Sequence, residues 1–303
     1  MDKEKSLQLQ QYITNIIIND APYFNYSNKD LENEKRLYTS TKLLDLQEDG
    51  LYDGDFEKFF VINNFLNATF IKNYADKEYI RLLFKNAKKF SKQEFMQDAY
   101  LKAIKKVPTV KVGNLLLTNC EYSKGEFFQY DYPDFTKPLI IPKLGFFTDD
   151  VSFPTIYEGN IPWMSICPSE IYSMKEQMDQ AFGNVLVLGL GLGYYPFMIS
   201  LKEQVKSITI IEIEPEIINL FNKYIFPYFP NKEKIKIIKA DAISYLKTVT
   251  PLDYDFAFCD IWESQVDGAV HYKNIKPFEK LLPNTKFTYW IEDQIKYHIE
   301  NEK

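Results

Sequence analysis

Four apolar residues, Val185-Leu186-Val187-Leu188, run directly into Gly189, Gly191 and Gly193, and Tyr194 follows. This segment constrains the fold more than any other. The chain has 11 glycines in 303 residues, and three of them fall within this one turn. An apolar run without polar alternation predicts a strand buried on both faces, the habit of parallel sheets covered by helices. Glycine admits positive φ and lets backbone approach a ligand closely. A strand that ends in such a turn and leads into a helix is where nucleotide-like ligands sit in open α/β sheets.

The surrounding pattern supports that architecture. From Pro168 onward, helices over 169–181, 194–204, 215–226, 242–248 and near 274–282 alternate with strands at 185–188, 207–213, 235–239, 255–259 and near 286–291. Such alternation implies right-handed crossovers and a parallel sheet. Upstream, residues 1–107 read as a helical domain. Leu7, Tyr12, Ile13, Ile16 and Ile17 recur at helical spacing, and neither glycine nor proline interrupts 55–107. Residues 108–164 read as a small β-rich segment, with Gly113-Asn114 as a turn between short strands. The expected division is therefore 1–107, 108–164 and 165–303, the last a Rossmann-like α/β domain with flanking helices. Few residues follow Trp290, so the antiparallel strand pair that would extend such a sheet has little room. The sheet is then curtailed, completed by the N-terminal part, or covered by a second copy in a homodimer.

Charge and composition narrow the function. A net charge of −6 gives no basic field for nucleic acid. Arg36 and Arg81 are the only arginines, and lysine lacks the planar fork that reads phosphate and guanine bidentately. The 3 cysteines, Cys120, Cys167 and Cys259, are widely spaced and odd in number, which suggests neither a disulfide framework nor a metal site and fits a cytoplasmic setting. Cys259 sits inside an apolar strand and reads as core. No cluster of His, Cys and acidic residues suggests a metal. No run approaches the ~20 apolar residues a membrane span needs, and the N-terminus does not read as a signal peptide.

Three carboxylates stand at the expected strand ends. Glu212 closes the second strand, where two oxygens can accept both hydroxyls of a ribose. Its neighbour Glu214 is expected to point away and to open the next helix at Pro215. Asp241 closes the third strand and suits the N-cap of the following helix. Asp260 closes the fourth, and Asp260-Ile261-Trp262-Glu263 brings a second carboxylate three residues on.

These residues carry a resemblance. Residues 165–293 resemble the class I S-adenosylmethionine (SAM) dependent methyltransferases, in their spermidine-synthase-like branch. The motifs are Val185–Tyr194 with its G-x-G-x-G spacing, Ile211-Glu212-Ile213-Glu214, Ala240-Asp241-Ala242 and Cys259-Asp260. The preceding β-rich segment is similar to the small β domain that precedes the core in spermidine synthase. Pro162–Ser165 and Tyr289–Asp293 are similar to segments of a wider set of uncharacterised bacterial proteins.

The resemblance implies SAM as cofactor, held by Gly189, Gly191, Gly193, Tyr194, Glu212, Ile213, Asp241, Ala242 and Asp260, with Asp241 on the adenine amino group. It implies methyl transfer to an N or O nucleophile of a small molecule or protein, with Asp260 or Glu263 orienting the nucleophile or taking its proton. Trp163, Ser165, Glu170, Trp262, His271 and Tyr272 are the candidate acceptor contacts. Trp262 also reads as core.

Two departures bear on this reading. Spermidine synthases carry an Asp between the second and third glycines, and Leu192 stands there, which weakens an aminopropyltransferase alternative. Methyltransferases usually carry an acidic residue two before the first glycine, and Val187 stands there. Backbone groups of the loop then have to serve the amino-acid end of the cofactor. A non-catalytic SAM-binding protein is the third alternative. Neither an Asn/Asp-Pro-Pro-Tyr motif nor a Pro-Cys pair follows the fourth strand, so nucleic-acid base methylation of those types is not expected.

Overall fold

The computed structural model describes residues 1–20 and 25–301. The chain divides into two compact units. One comprises residues 1–96 and 121–152, the other 97–120 and 153–303. The β-rich stretch 108–164 is therefore shared: its middle groups with the helices, and its two ends group with the α/β unit.

In the first unit, helices Lys3–Asp20, Phe56–Ala68 and Lys77–Asn86 supply most of an apolar core built on Ile13, Phe59, Ile62, Phe65, Tyr79 and Leu83. The uninterrupted stretch 55–107 is not one helical run. Asp55, Asp76, Ser91 and Asp98 each N-cap a new helix by accepting a backbone N–H, so polar caps punctuate it where glycine and proline do not. Strand Lys88–Phe90 also lies within the region expected to be helical. It pairs in parallel with Lys143–Phe147, which pairs antiparallel with Phe127–Asp131. Phe65 packs on Phe127 with ring centroids 4.4 Å apart, joining helix and sheet in one core.

The second unit carries the parallel sheet. Its strand order is Ile235–Lys239, Val205–Glu212, Gly183–Leu188, Phe256–Cys259, Lys286–Tyr289, and every neighbouring pair is parallel. Counted along the chain this is 3-2-1-4-5, so the order reverses at Gly183–Leu188. Val185–Leu188 and Phe256–Cys259 are wholly buried, as runs covered on both faces must be. Among the described residues Lys286–Tyr289 is the last strand of this sheet, and no strand of the N-terminal unit joins it. A four-stranded sheet, Val110–Val112, Leu115–Tyr122, Val151–Glu158 and Ile161–Ser165, precedes it in the chain.

Several boundaries differ from expectation for local reasons. The helix after the glycine turn is Tyr194–Ser200, and its end is held where Asn231 and Lys234 donate to the Ser200 carbonyl. The helix expected near 274–282 is two pieces, Gln265–Ile275 and Phe278–Leu281, interrupted at Pro277. The first piece starts early because Ser264 and Asp267 form a capping box. A helix that was not expected, Glu292–Asn301, follows the last strand.

No helix among the described residues is long and apolar enough to cross a membrane.

Candidate functional site

A cavity of about 660 Å³ opens at the carboxyl ends of the parallel strands, at the point where the strand order reverses. It is lined by residues of the second unit alone.

The three glycines serve different ends. A Cβ on Gly189 would stand 1.9 Å from the Asp260 carbonyl oxygen, so this glycine lets two neighbouring strand ends pass. A Cβ on Gly193 would meet the Phe221 ring at 2.3 Å, so this one seats the following helix. Only Gly191 faces open space, with the Met164 sulfur 3.5 Å from a Cβ as its nearest neighbour. The N–H groups of Gly189 and Gly193 bond to Ile211 and Leu190, whereas those of Gly191 and Leu192 have no acceptor among the described residues.

The loop is held from behind by a short helix, Ala99–Ala103. The Tyr100 hydroxyl donates to the Leu192 carbonyl at 2.5 Å, and the Tyr194 hydroxyl donates to Asp98 at 3.0 Å. Tyr194 thus borders the cleft, but its hydroxyl anchors the loop. Tyr100→Phe leaves the Leu192 carbonyl without that donor. It should cost about 1–2 kcal/mol of stability in urea denaturation; an unchanged midpoint would mean that the bond does not support the loop.

Each strand end presents its carboxylate differently. Glu212 is buried, and its two oxygens accept the N–H groups of Leu190 at 3.0 Å and Glu214 at 2.9 Å. Burial pushes its pKa up, against those backbone donors. Each oxygen keeps a lone pair for a further donor. Asp241 caps helix Ala242–Leu246 through the Ser244 N–H at 2.7 Å and still lines the cavity, so the cap and the site coexist. Its hydrogen bonds to Ser244 hold its pKa down. Asp260 is half-buried, and its carboxylate makes no hydrogen bond among the described residues. Burial first, then Glu170 and Glu212, push its pKa well above the usual carboxylate range. Glu170, in the first turn of helix Pro168–Gln180, is raised by burial to about 7.

Of the residues expected here, Gly189, Gly191, Gly193, Tyr194, Glu212, Ile213, Asp241, Ala242, Asp260, Glu263, Trp163, Ser165, Glu170, Trp262 and His271 all line the cavity. Tyr272 does not. It is buried on the other side of its helix, where its hydroxyl donates to Glu292 at 2.8 Å and its ring meets Tyr289 edge-on. Glu263 is exposed, its N–H held by Asp267. Glu214 faces the cavity, contrary to expectation, as the N-cap residue of helix Pro215–Tyr224.

Sequence reasoning missed other lining residues. The main one is Trp290, which donates to the Ser173 hydroxyl at 2.8 Å and is followed by Ile291 at φ +47°. A β-branched residue is strained in that region. Asn114, Glu158, Met164, Met174, Glu216 and Asp267 also contribute.

The lining has a marked chemical bias. Its charged residues are Glu158, Glu170, Glu212, Glu214, Glu216, Asp241, Asp260, Glu263 and Asp267, and neither lysine nor arginine is among the described residues that line it. All 3 tryptophans of the chain, Trp163, Trp262 and Trp290, border it. The Trp262 ring nitrogen is buried without a hydrogen-bond partner among the described residues.

No family model matches the chain. No curated protein matches it. Among solved structures, spermidine synthase from Thermotoga maritima aligns over 48% of this chain and 57% of its own, at 12% identity and TM-score 0.35. A spermidine synthase in complex with the transition-state analogue AdoDATO aligns over 48% and 56%, at 12% identity and TM-score 0.36. Precorrin 8W decarboxylase of Methanobacterium thermoautotrophicum aligns over 43% and 68%, at 16% identity and TM-score 0.30. The match thus spans under two thirds of the spermidine synthases' own length. At these values the likeness bears on no residue's role, and the Rossmann-like α/β fold stands on the strand order itself.

Proposed function

We propose that the cleft binds SAM and that the chain is a methyltransferase acting on an N or O nucleophile of a small-molecule or protein-borne acceptor. One observation supports this reading: an open glycine, the buried two-oxygen carboxylate of Glu212 and a capped Asp line one cavity from three successive strand ends, at the reversal of the sheet. The residues fit the cofactor's parts. Glu212 keeps lone pairs that would take the ribose hydroxyls, and Asp241 would take the adenine amino group. The Gly191 and Leu192 N–H groups can receive the amino acid carboxylate, which answers the lack of an acid at Val187. When bound, SAM supplies a methyl group activated on a sulfonium sulfur. The protein's own work is to hold the acceptor in line and to keep water out. Trp163, Trp262 and Trp290 wall the cleft for this purpose, and alignment alone supplies several kcal/mol.

Calorimetric titration with SAM tests the reading. Binding is expected, with at least tenfold loss in Glu212→Ala while the variant stays folded. No binding at millimolar SAM would remove the proposal. An aminopropyltransferase is the second reading, and the carboxylate-only lining favours it because decarboxylated SAM carries more net positive charge. Tighter binding of SAM than of its decarboxylated form is the expected result; the reverse order would exchange the two readings. Among the described residues no disulfide joins the three cysteines, in keeping with the proposed cytoplasmic setting.

A further inference from the structure

We infer that the helical unit carries a binding site of its own, for a small aromatic molecule bearing one phosphate group. The inference stands apart from the reading of the acidic cleft and does not rest on it.

The site is a cavity of about 280 Å³ lined only by residues of the first unit. It lies between the turn that follows helix Ser40–Glu48, the first turn of helix Phe56–Ala68 and one face of helix Lys77–Asn86. That volume is near the lower end for small-molecule sites, so it suits one ring with one charged group and not a dinucleotide.

The floor of the cavity is aromatic. Phe59 and Phe84 are buried, and their rings stack with centroids 6.1 Å apart at an interplanar angle of 27°. The Tyr52 ring stands edge-on to Phe59 at 6.2 Å, and its hydroxyl is engaged on the Gly54 carbonyl at 3.0 Å. Ring faces and edges of this kind favour a flat aromatic partner over an aliphatic chain.

The rim is cationic, in a chain whose net charge is −6. Lys58, Arg81 and Lys85 line the cavity against a single carboxylate, Asp53. Arg81 and Lys85 stand four positions apart on one helix and so share a face. Gly50 makes room for the arginine. It has φ +71°, and a Cβ there would stand 2.8 Å from the Arg81 Cγ, so the glycine lets the arginine stem lie across the turn.

These cations are under-used. Arg81 engages Glu78 through Nε at 2.8 Å and through Nη2 at 2.6 Å, which leaves the rest of its five N–H donors for another acceptor. The Lys58 side chain is 14% exposed, and its ammonium donates to Asp53 alone, at 2.8 Å. Lys85 is exposed and makes neither a hydrogen bond nor an ion pair among the described residues. Donors therefore exceed acceptors above an apolar floor. A phosphate group brings three acceptor oxygens and a charge of about −1.5 to −2 at pH 7, and a guanidinium fork matches its geometry. A carboxylate brings two oxygens and one charge, and leaves more of these donors unused. A polyanion would meet a chain of net negative charge beyond the cavity.

The test titrates phenyl phosphate, benzoate, inorganic phosphate and benzylamine calorimetrically into the full chain. Phenyl phosphate should bind at one site with a millimolar or lower Kd. Benzoate, which has the wrong anion, and inorganic phosphate, which lacks the ring, should each bind at least tenfold more weakly, and benzylamine should not bind. Arg81→Gln and Lys85→Gln should each weaken phenyl phosphate at least fivefold. The Arg81–Glu78 pair is exposed and Lys85 has no partner to lose, so both variants should keep the parent's urea midpoint. Should one of them fail to fold, the other carries the test. Lys29→Gln, outside the cavity, should leave the affinity unchanged. No binding at millimolar phenyl phosphate would overturn the inference. So would benzoate, inorganic phosphate or benzylamine matching it, or an affinity untouched by Arg81→Gln and Lys85→Gln, or one lowered equally by Lys29→Gln. None of these results bears on SAM binding in the cleft, so the two readings stand or fall separately.

Discussion

Gly189→Ala should lower the stability of the α/β unit by about 3–4 kcal/mol, whereas Gly191→Ala, two residues on, should cost about 1 kcal/mol and lose the ligand. Gly189 has φ +97°, and its added Cβ would stand 1.9 Å from the Asp260 carbonyl oxygen. A left-handed backbone costs a non-glycine residue roughly 1–2 kcal/mol. Overpacking against a rigid neighbour adds about 1–3 kcal/mol. The neighbour here is backbone of an adjacent strand end, held by the Asp260 N–H on the Leu188 carbonyl at 2.9 Å, so it cannot step aside without breaking the sheet. At roughly 2–4 °C per kcal/mol for a unit of this size, the midpoint should fall by about 10 °C. Gly191 has φ +55°, and nothing lies within 3.4 Å of its added Cβ. Its methyl group would occupy ligand space instead. Thermal unfolding by circular dichroism and SAM titration of the two variants check the pair. A Gly191 variant that melts as early as the Gly189 variant would mean that the loop is purely structural.

That contrast also shows what could be read in the sequence. The strand ends were legible because an apolar run followed by a carboxylate or glycine is set by burial and chain direction alone, and Glu212, Asp241 and Asp260 all fall where that rule puts them. Which side a residue takes within a helix was not legible until the helix start was placed. His271 and Tyr272 are adjacent, so on a helix they point about 100° apart, and only His271 reaches the cleft. The Ser264-x-x-Asp267 capping box was the signal that would have placed that helix. Trp290 gave no local signal, because its approach depends on a left-handed Ile291, where a sequence reader would look for glycine. Strand Lys88–Phe90 was equally hidden: a three-residue strand exists only through its partner Lys143–Phe147, far along the chain.

The buried carboxylates should make this fold less stable as pH rises, and removing one should stabilise it. Burial raises the Glu170 carboxyl from 4.5 to about 7. Between those values the unfolded chain has released the proton and the folded chain has kept it. The unfolded state then binds fewer protons, so stability falls as pH climbs through this window. At 1.36 kcal/mol per unit the full effect is about 3 kcal/mol, present as a penalty above pH 7 and absent below pH 4.5. Asp260 shifts in the same direction, driven by burial and by the charges of Glu170 and Glu212. Glu170→Gln and Asp260→Asn keep the shape of the side chain and cannot ionise. Relative to the parent chain, Glu170→Gln should therefore gain about 1–3 kcal/mol in urea denaturation at pH 8 and almost nothing at pH 4, and Asp260→Asn should change in the same direction. The carboxylates that are held low, such as Asp241, work in the opposite sense, so the difference between variant and parent is the quantity to measure. A loss of stability at both pH values would mean that these two carboxylates hold the fold together. A gain confined to the higher pH would mean that the fold keeps them, at a cost, for the chemistry of the cleft.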